Sequence, residues 1–147
     1  MIKKYFQPSV QTNFASTALF VLRLIAGIAF IIHGMGKIQS PLGWLPANAP
    51  IHIPALFQFL AAVAEFAGGI AWILGLLTPL ASFGISINML VATSVHLFVF
   101  NDPFVTTSGG TSYEPALGYF AIALVLMAVG PGKFSLDKFI FGEKNNK

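Results

Sequence analysis

The sequence predicts an all-α integral membrane protein: a four-helix bundle with both termini cytoplasmic and a short amphipathic helix near its C-terminal end. Three observations point there. The 147-residue chain is 56% hydrophobic and only 9% charged, whereas soluble domains carry about 25% charged residues, so this chain could not cover a water-exposed surface. Four apolar segments approach the length of about 20 residues that a helix needs to cross a bilayer. Lysines gather near the chain ends, at Lys3, Lys4, Lys133, Lys138, Lys144 and Lys147. The formal charge of +3 is therefore a membrane signal. No basic patch with interleaved aromatics suggests nucleic acid as a partner.

The spans fall at roughly 17–36, 56–77, 80–100 and 115–131, in a single domain covering 1–147. Each is read as a helix, because a lone spanning segment must satisfy its backbone hydrogen bonds internally. Lys3, Lys4 and the "ANA" at 47–49 imitate a cleavable leader. The apolar run, however, contains Arg23, and "ANA" lies beyond its end and before Pro50, so the segment is kept as a mature helix. "TPLAS" at Thr78–Ser82 reads as a tight turn, with Pro79 in the first turn of the third helix. "SPLGWLPANAPIHIP" is a loop whose four prolines deny it regular structure. "NDPFVTTSGGTSYEP" is the second long loop. Within "GPGKFSLDKFIF", Gly130, Pro131 and Gly132 end the last span, and Ser135 caps a short amphipathic helix at about 134–141, lying on the inner membrane surface.

The lysine excess places both termini and the Thr78–Pro79 turn in the cytoplasm and the two long loops outside. Trp72 then lies near the inner interface, with Trp44 and Tyr113 near the outer one.

Ionisable residues inside a span mark a functional site or a packing pair. At about 100° per residue, Gly27, Phe30, Gly34 and Lys37 share a broad face with Arg23, and His33 lies to one side of it. Ile25, Ile28 and Ile32 cover much of the opposite, lipid-facing side. The glycines thin the inward face for close helix contact, as do Gly68–Gly69 and the Ala64-x-x-x-Gly68 stripe in the second span. Depth counted at about 1.5 Å per residue suggests that Arg23 pairs with Glu65, with Asn88 between their levels. His33 and His96 fall at one outer level, below Lys37, Tyr113 and Glu114. Two layers are thus expected: a mid-membrane core of Arg23, Glu65 and Asn88, and an outer vestibule of His33, Lys37, His96, Tyr113 and Glu114.

The vestibule has three readings. Its histidines are ordinary interface residues, or donors to the carbonyls of a quinone head group, or ligands of haem b, for which two histidines at one depth are thin support. Zinc needs more ligands than three scattered histidines supply, and His52 is read as solvated, so no metal site is expected. The chain has no cysteine, which excludes disulfides, thiol redox chemistry and an iron–sulfur cluster held by this chain alone.

Several motifs in order carry a likeness: Arg23 in the first span with "HGMGK" at its end, "AEFAGGIAWILGLLTP" in the second, and "GTSYEPALGYFAIALVLMAVGPGKFSLD" at the close. With them the chain resembles the DoxX family of small bacterial membrane proteins over about residues 17–138, and "GPGKFSLD" is the most specific piece. The resemblance implies a four-helix bundle in the bacterial inner membrane and kinship with subunits of thiosulfate:quinone oxidoreductase. It carries no catalytic assignment onto Arg23, His33, Lys37, Glu65 or Glu114. Three functions follow as expectations: a subunit or accessory of a redox system that binds quinone or another small lipophilic ligand and works with an oxidoreductase partner; a non-catalytic scaffold or assembly factor; and a small transporter, which would have to form a homo-oligomer to enclose a path.

The orientation can be checked by placing single cysteines in this cysteine-free chain. Impermeant reagents should label residues 44 and 108 from outside and spare residue 78. Labelling at 78 but not at 108 would invert the topology.

Overall fold

The computed structural model describes residues 3–143, with only the backbone at 3 and 4. Lys144 and Lys147 lie outside the described residues, and the Lys3 and Lys4 side chains are likewise not described. The described chain is helical: α1 (Lys3–Phe6), α2 (Asn13–Gln39), α3 (Ala55–Leu74), α4 (Thr78–Phe98), α5 (Glu114–Val129) and α6 (Leu136–Phe141). Helices α2, α3 and α4 are long and apolar enough to cross a membrane, while α5 is apolar but shorter. Its 16 residues span about 24 Å. The bundle is the expected one, with a short fourth member.

Two boundaries differ from expectation for identifiable reasons. Helix α2 begins early because the Thr12 hydroxyl accepts a hydrogen bond from the Ala15 N–H and caps it. The reversal between α3 and α4 is Gly75–Leu77 rather than Thr78–Ser82. Gly75 takes the left-handed conformation at φ 62° and ends α3, as glycine does at many helix C-termini. Thr78 and Pro79 already belong to α4. The short α1 was not anticipated.

Consecutive long helices pack as antiparallel neighbours, and α2 meets α5 where Phe30 contacts Tyr119 edge-on at 4.9 Å. Phe30 also packs edge-on against Trp72 at 5.3 Å. Around these rings lie Leu19, Ala26, Ile85, Met89, Ala123 and Leu126. Ile25, Ile28 and Ile32 are exposed on the outer side of α2, as expected of a lipid-facing stripe. At one end of the bundle α1 packs on α6: Phe6 stacks on Phe141, and the Gln7 amide donates to the Phe141 carbonyl. This terminal end is opposite the loop end, which carries residues 40–54 and 99–113. The Ser135 hydroxyl accepts from the Lys138 N–H and caps α6 as expected. Phe139 and Ile140 point outward from it, 87% and 51% exposed, where an interfacial helix needs them.

The closest helix contact is α2 on α3. A Cβ on Gly27 would lie 2.7 Å from the Gly69 carbonyl oxygen, and one on Gly69 would lie 2.8 Å from that of Gly27. A Cβ on Gly34 would come within 2.6 Å of the Phe66 nitrogen. The backbones therefore touch, and only hydrogen fits between them.

Gly34→Ala should accordingly cost about 1–3 kcal/mol by forcing α2 away from α3. Gly36→Ala, which meets nothing within 4 Å, should be neutral or stabilise by up to about 1 kcal/mol through helix propensity. Thermal unfolding in mild detergent distinguishes them, and equal effects would mean that the helices do not depend on this contact.

Candidate functional site

Two polar clusters occupy opposite ends of the bundle, and each uses one of the charges expected to meet at its centre. At the loop end, Lys37 Nζ lies 2.6 Å from Glu65 Oε1, and Asn88 Nδ2 donates to the same oxygen at 2.8 Å. Three helices are joined at one atom. The Glu65 side chain is 4% exposed and that of Lys37 27%. The other carboxylate oxygen, Oε2, is buried and has no hydrogen-bond partner among the described residues.

The loop after α2 folds back over this cluster. The Trp44 ring lies 4.6 Å from Lys37 Nζ, within range of a cation–π contact. Its indole N–H donates to the Gln58 carbonyl at 2.8 Å. The Gln58 side chain accepts from the Leu45 N–H and donates to the Ile53 carbonyl, stapling both arms of the proline-rich loop. Prolines prevent regular structure here without preventing order, because one buried amide satisfies the backbone. Gln58 and Trp44 were missed as site residues. A glutamine in the first turn of an apolar span was the available signal.

At the terminal end, Arg23 is fully buried. Its Nη1 donates to the Trp72 and Ile73 carbonyls at 2.9 and 3.3 Å, and its Nη2 donates to the Phe134 carbonyl. The guanidinium thus adds to the Gly75 N–H on the Trp72 carbonyl and reaches the Ile73 carbonyl in the last turn of α3, where a cation is also favoured by the helix dipole. Gly75 gives it room, since a Cβ there would lie 2.3 Å from Arg23 Nη1. Asp137, also fully buried, accepts from the Leu77 and Thr78 N–H groups at 2.6 and 2.8 Å and so caps α4 from a distant part of the chain. Its own N–H donates to the Gly75 carbonyl at 2.8 Å. "GPGKFSLD" is therefore a clasp that closes the α3–α4 turn.

The expected Arg23–Glu65 pair does not form. Side chains on a helix lean toward its N-terminus. Helix α2 runs from the terminal end to the loop end, so this lean carries Arg23 away from Glu65. It carries Lys37 inward toward Glu65, whose own lean on α3 is toward the loop end. The register matters more: Gly27 lies against Gly69 and Gly34 against Phe66, so Arg23 sits level with the C-terminal turn of α3, about ten residues or roughly 15 Å from the level of Glu65.

The outer vestibule does not assemble either. His33 is exposed on α2. His96 turns to its own loop, with Nδ1 2.7 Å from Asp102 Oδ2, while Thr111 donates to Asp102 Oδ1 at 2.8 Å. The hydrogen bond to His96 holds the Asp102 carboxyl below the usual carboxylate range. Tyr113 packs on Phe104 at 5.4 Å, and Glu114 is exposed in the first turn of α5. His52 is exposed as expected. Of the eight residues singled out, Lys37, Glu65 and Asn88 come together; Arg23, His33, His96, Tyr113 and Glu114 go elsewhere.

The DoxX family model matches residues 18–101, more than half of the chain and nearly all of α2 to α4. The chain belongs to the DoxX family. The matched residues include Arg23, Lys37, Glu65 and Asn88, while the clasp at 130–137 lies beyond them. Three relatives cover most of it. CatD of Bacillus subtilis, a presumed oxidoreductase by its name, is 28% identical over 86% of this chain and 89% of its own length. An uncharacterized Haemophilus influenzae protein is 33% identical over 84% of this chain and 90% of its own. The inner membrane protein YqjF of Escherichia coli is 28% identical over 83% of this chain and 91% of its own. No solved structure matches at significance. This DoxX-family chain is a multi-pass protein of the bacterial inner membrane.

A mutational cycle separates the two clusters. Lys37→Met should cost roughly 3–5 kcal/mol, because Glu65 is left buried and unpaired. Adding Glu65→Leu should recover much of that loss. Arg23→Leu and Glu65→Leu should be additive within about 0.5 kcal/mol in detergent unfolding, as sites without shared partners are. Strong coupling between them would restore the central pair.

Proposed function

We propose that this protein is a membrane subunit or accessory of a redox system, and that its loop-end cluster binds the polar head of a small lipophilic ligand of the quinone class. Glu65 carries this reading. It is a buried carboxylate with one oxygen held by Lys37 and Asn88 and the other unpartnered. A buried acceptor left unmet costs about 1–3 kcal/mol or more when charged, so the arrangement favours a bound group that meets it. A few convergent polar atoms in apolar surroundings, beside an aromatic ring, suit a ring-shaped ligand. The name of CatD supports the redox side of the proposal. Because the chain has no cysteine for a thiol or cluster, an oxidoreductase partner would carry the electrons. We place the terminal end in the cytoplasm on the lysine excess.

The scaffold reading draws on the other end of the molecule. There Arg23 and Asp137 spend their hydrogen bonds on the backbone of α3, α4 and the clasp, which is a purely structural use.

Saturable binding of a decyl-tailed benzoquinone/benzoquinol pair to the protein in lipid nanodiscs, against protein-free nanodiscs, tests the proposal. The Lys37→Met/Glu65→Leu double variant, which buries no lone charge, should lose tenfold or more in affinity. His33→Ala and His96→Ala should bind as the parent does. If the double variant binds undiminished, the cluster only holds the bundle together and the scaffold reading stands.

A further inference from the structure

The geometry points to a site that selects its ligand by redox state: we propose that Glu65 Oε2 receives a hydroxyl from the reduced, quinol form and disfavours the oxidised quinone. This inference rests on the ligand-binding reading above and specifies what the ligand must offer. Lys37 Nζ and Asn88 Nδ2 both direct their protons at Oε1, at 2.6 and 2.8 Å. Oε2 of the same carboxylate, on a residue only 3% exposed, has no donor among the described residues. What the site lacks is therefore a donor.

Charge narrows the class. Lys37 already neutralises Glu65 across 2.6 Å, so a cationic donor such as an amine would enter beside an ammonium with no further anion to offset it, in a setting of low dielectric. An anionic ligand would meet an acceptor. A quinone brings only carbonyl oxygens, which are acceptors as well, and lone pairs would face lone pairs at Oε2. A quinol is neutral and presents an O–H donor at the end of an apolar ring. A hydrogen bond from it to an ionised acceptor is of the stronger kind.

The same reasoning foretells a reversal. In Glu65→Gln the amide oxygen would stay with Lys37 and Asn88, because both are donors. The amide nitrogen would then stand where Oε2 stood and offer a proton. The site would change from acceptor to donor, and its preference should swing to the quinone.

Binding of decyl-benzoquinol, decyl-benzoquinone and the di-O-methyl ether of the quinol is measured anaerobically, to the full-length protein in nanodiscs. The parent should bind the quinol about tenfold or more tighter than the quinone. It should treat the ether like the quinone, since the ether keeps the ring and lacks the donor. Glu65→Gln should lose or invert this preference. Equal binding of quinol and ether by the parent overturns the inference while leaving the ligand-binding reading in place, and so does an unchanged quinol preference in Glu65→Gln. If none of the three binds saturably, both fall. Should Glu65→Gln not fold, the ether comparison in the parent decides alone.

Discussion

The contact of the Arg23 guanidinium with the carbonyls of Trp72, Ile73 and Phe134 is where the terminal end of this bundle is joined. A helix that stops inside or near a bilayer leaves carbonyls that hydrocarbon cannot satisfy. Arginine supplies several donors from one residue and cannot shed its charge. Gly75 must then lack a side chain, α4 must start within three residues, and the chain beyond α5 must return to bring Phe134 and Asp137 to the same place. Asp137 completes the turn by capping α4, and its charge also attracts that of Arg23. Three segments distant in sequence, at Arg23, residues 72–78 and residues 134–137, are held by a few hydrogen bonds, with Arg23 Nε and Thr78 Oγ1 left buried without a partner among the described residues.

The loop end is built around a shared side-chain carboxylate rather than around backbone carbonyls. Lys37 and Asn88 converge on Glu65, with the loop tryptophan packed on Lys37, yet leave one carboxylate oxygen without a partner among the described residues. A buried ion pair is weak support for stability, because desolvating both charges offsets much of their attraction. Incomplete satisfaction makes it weaker still. A buried ion pair whose carboxylate is one donor short suits the recognition role proposed above. The glycine seam between α2 and α3 makes it achievable, since only a close backbone approach lets Lys37 and Glu65 meet.

Much of the architecture is legible in the residues themselves. Hydrocarbon thickness sets how long an apolar run must be, so the spans could be counted directly. The Gly27, Gly34 and Gly69 contacts follow from small residues on the inward face, and the outward isoleucines from the helical period. The clasp was visible as a motif but its role was not, because Asp137 acts on the N-H groups of residues about 60 positions earlier. The order in the proline-rich loop was hidden for the same reason: Gln58 enforces it from another helix.

The sequence by itself determined that this chain spans a membrane as packed helices, which residues line its inner seam, and that charges within those helices must find partners. Those follow from local quantities: length, period, side-chain size and the cost of an unsatisfied charge in lipid. Which charges meet was decided only by the tertiary structure. Arg23 and Glu65 lie at compatible depths by count, but the Gly27–Gly69 and Gly34–Phe66 contacts set a register that leaves them about ten residues, roughly 15 Å, apart along the bundle, and their side chains lean in opposite directions. Register and lean together therefore gave Arg23 to the backbone at one end and Lys37 to the carboxylate at the other.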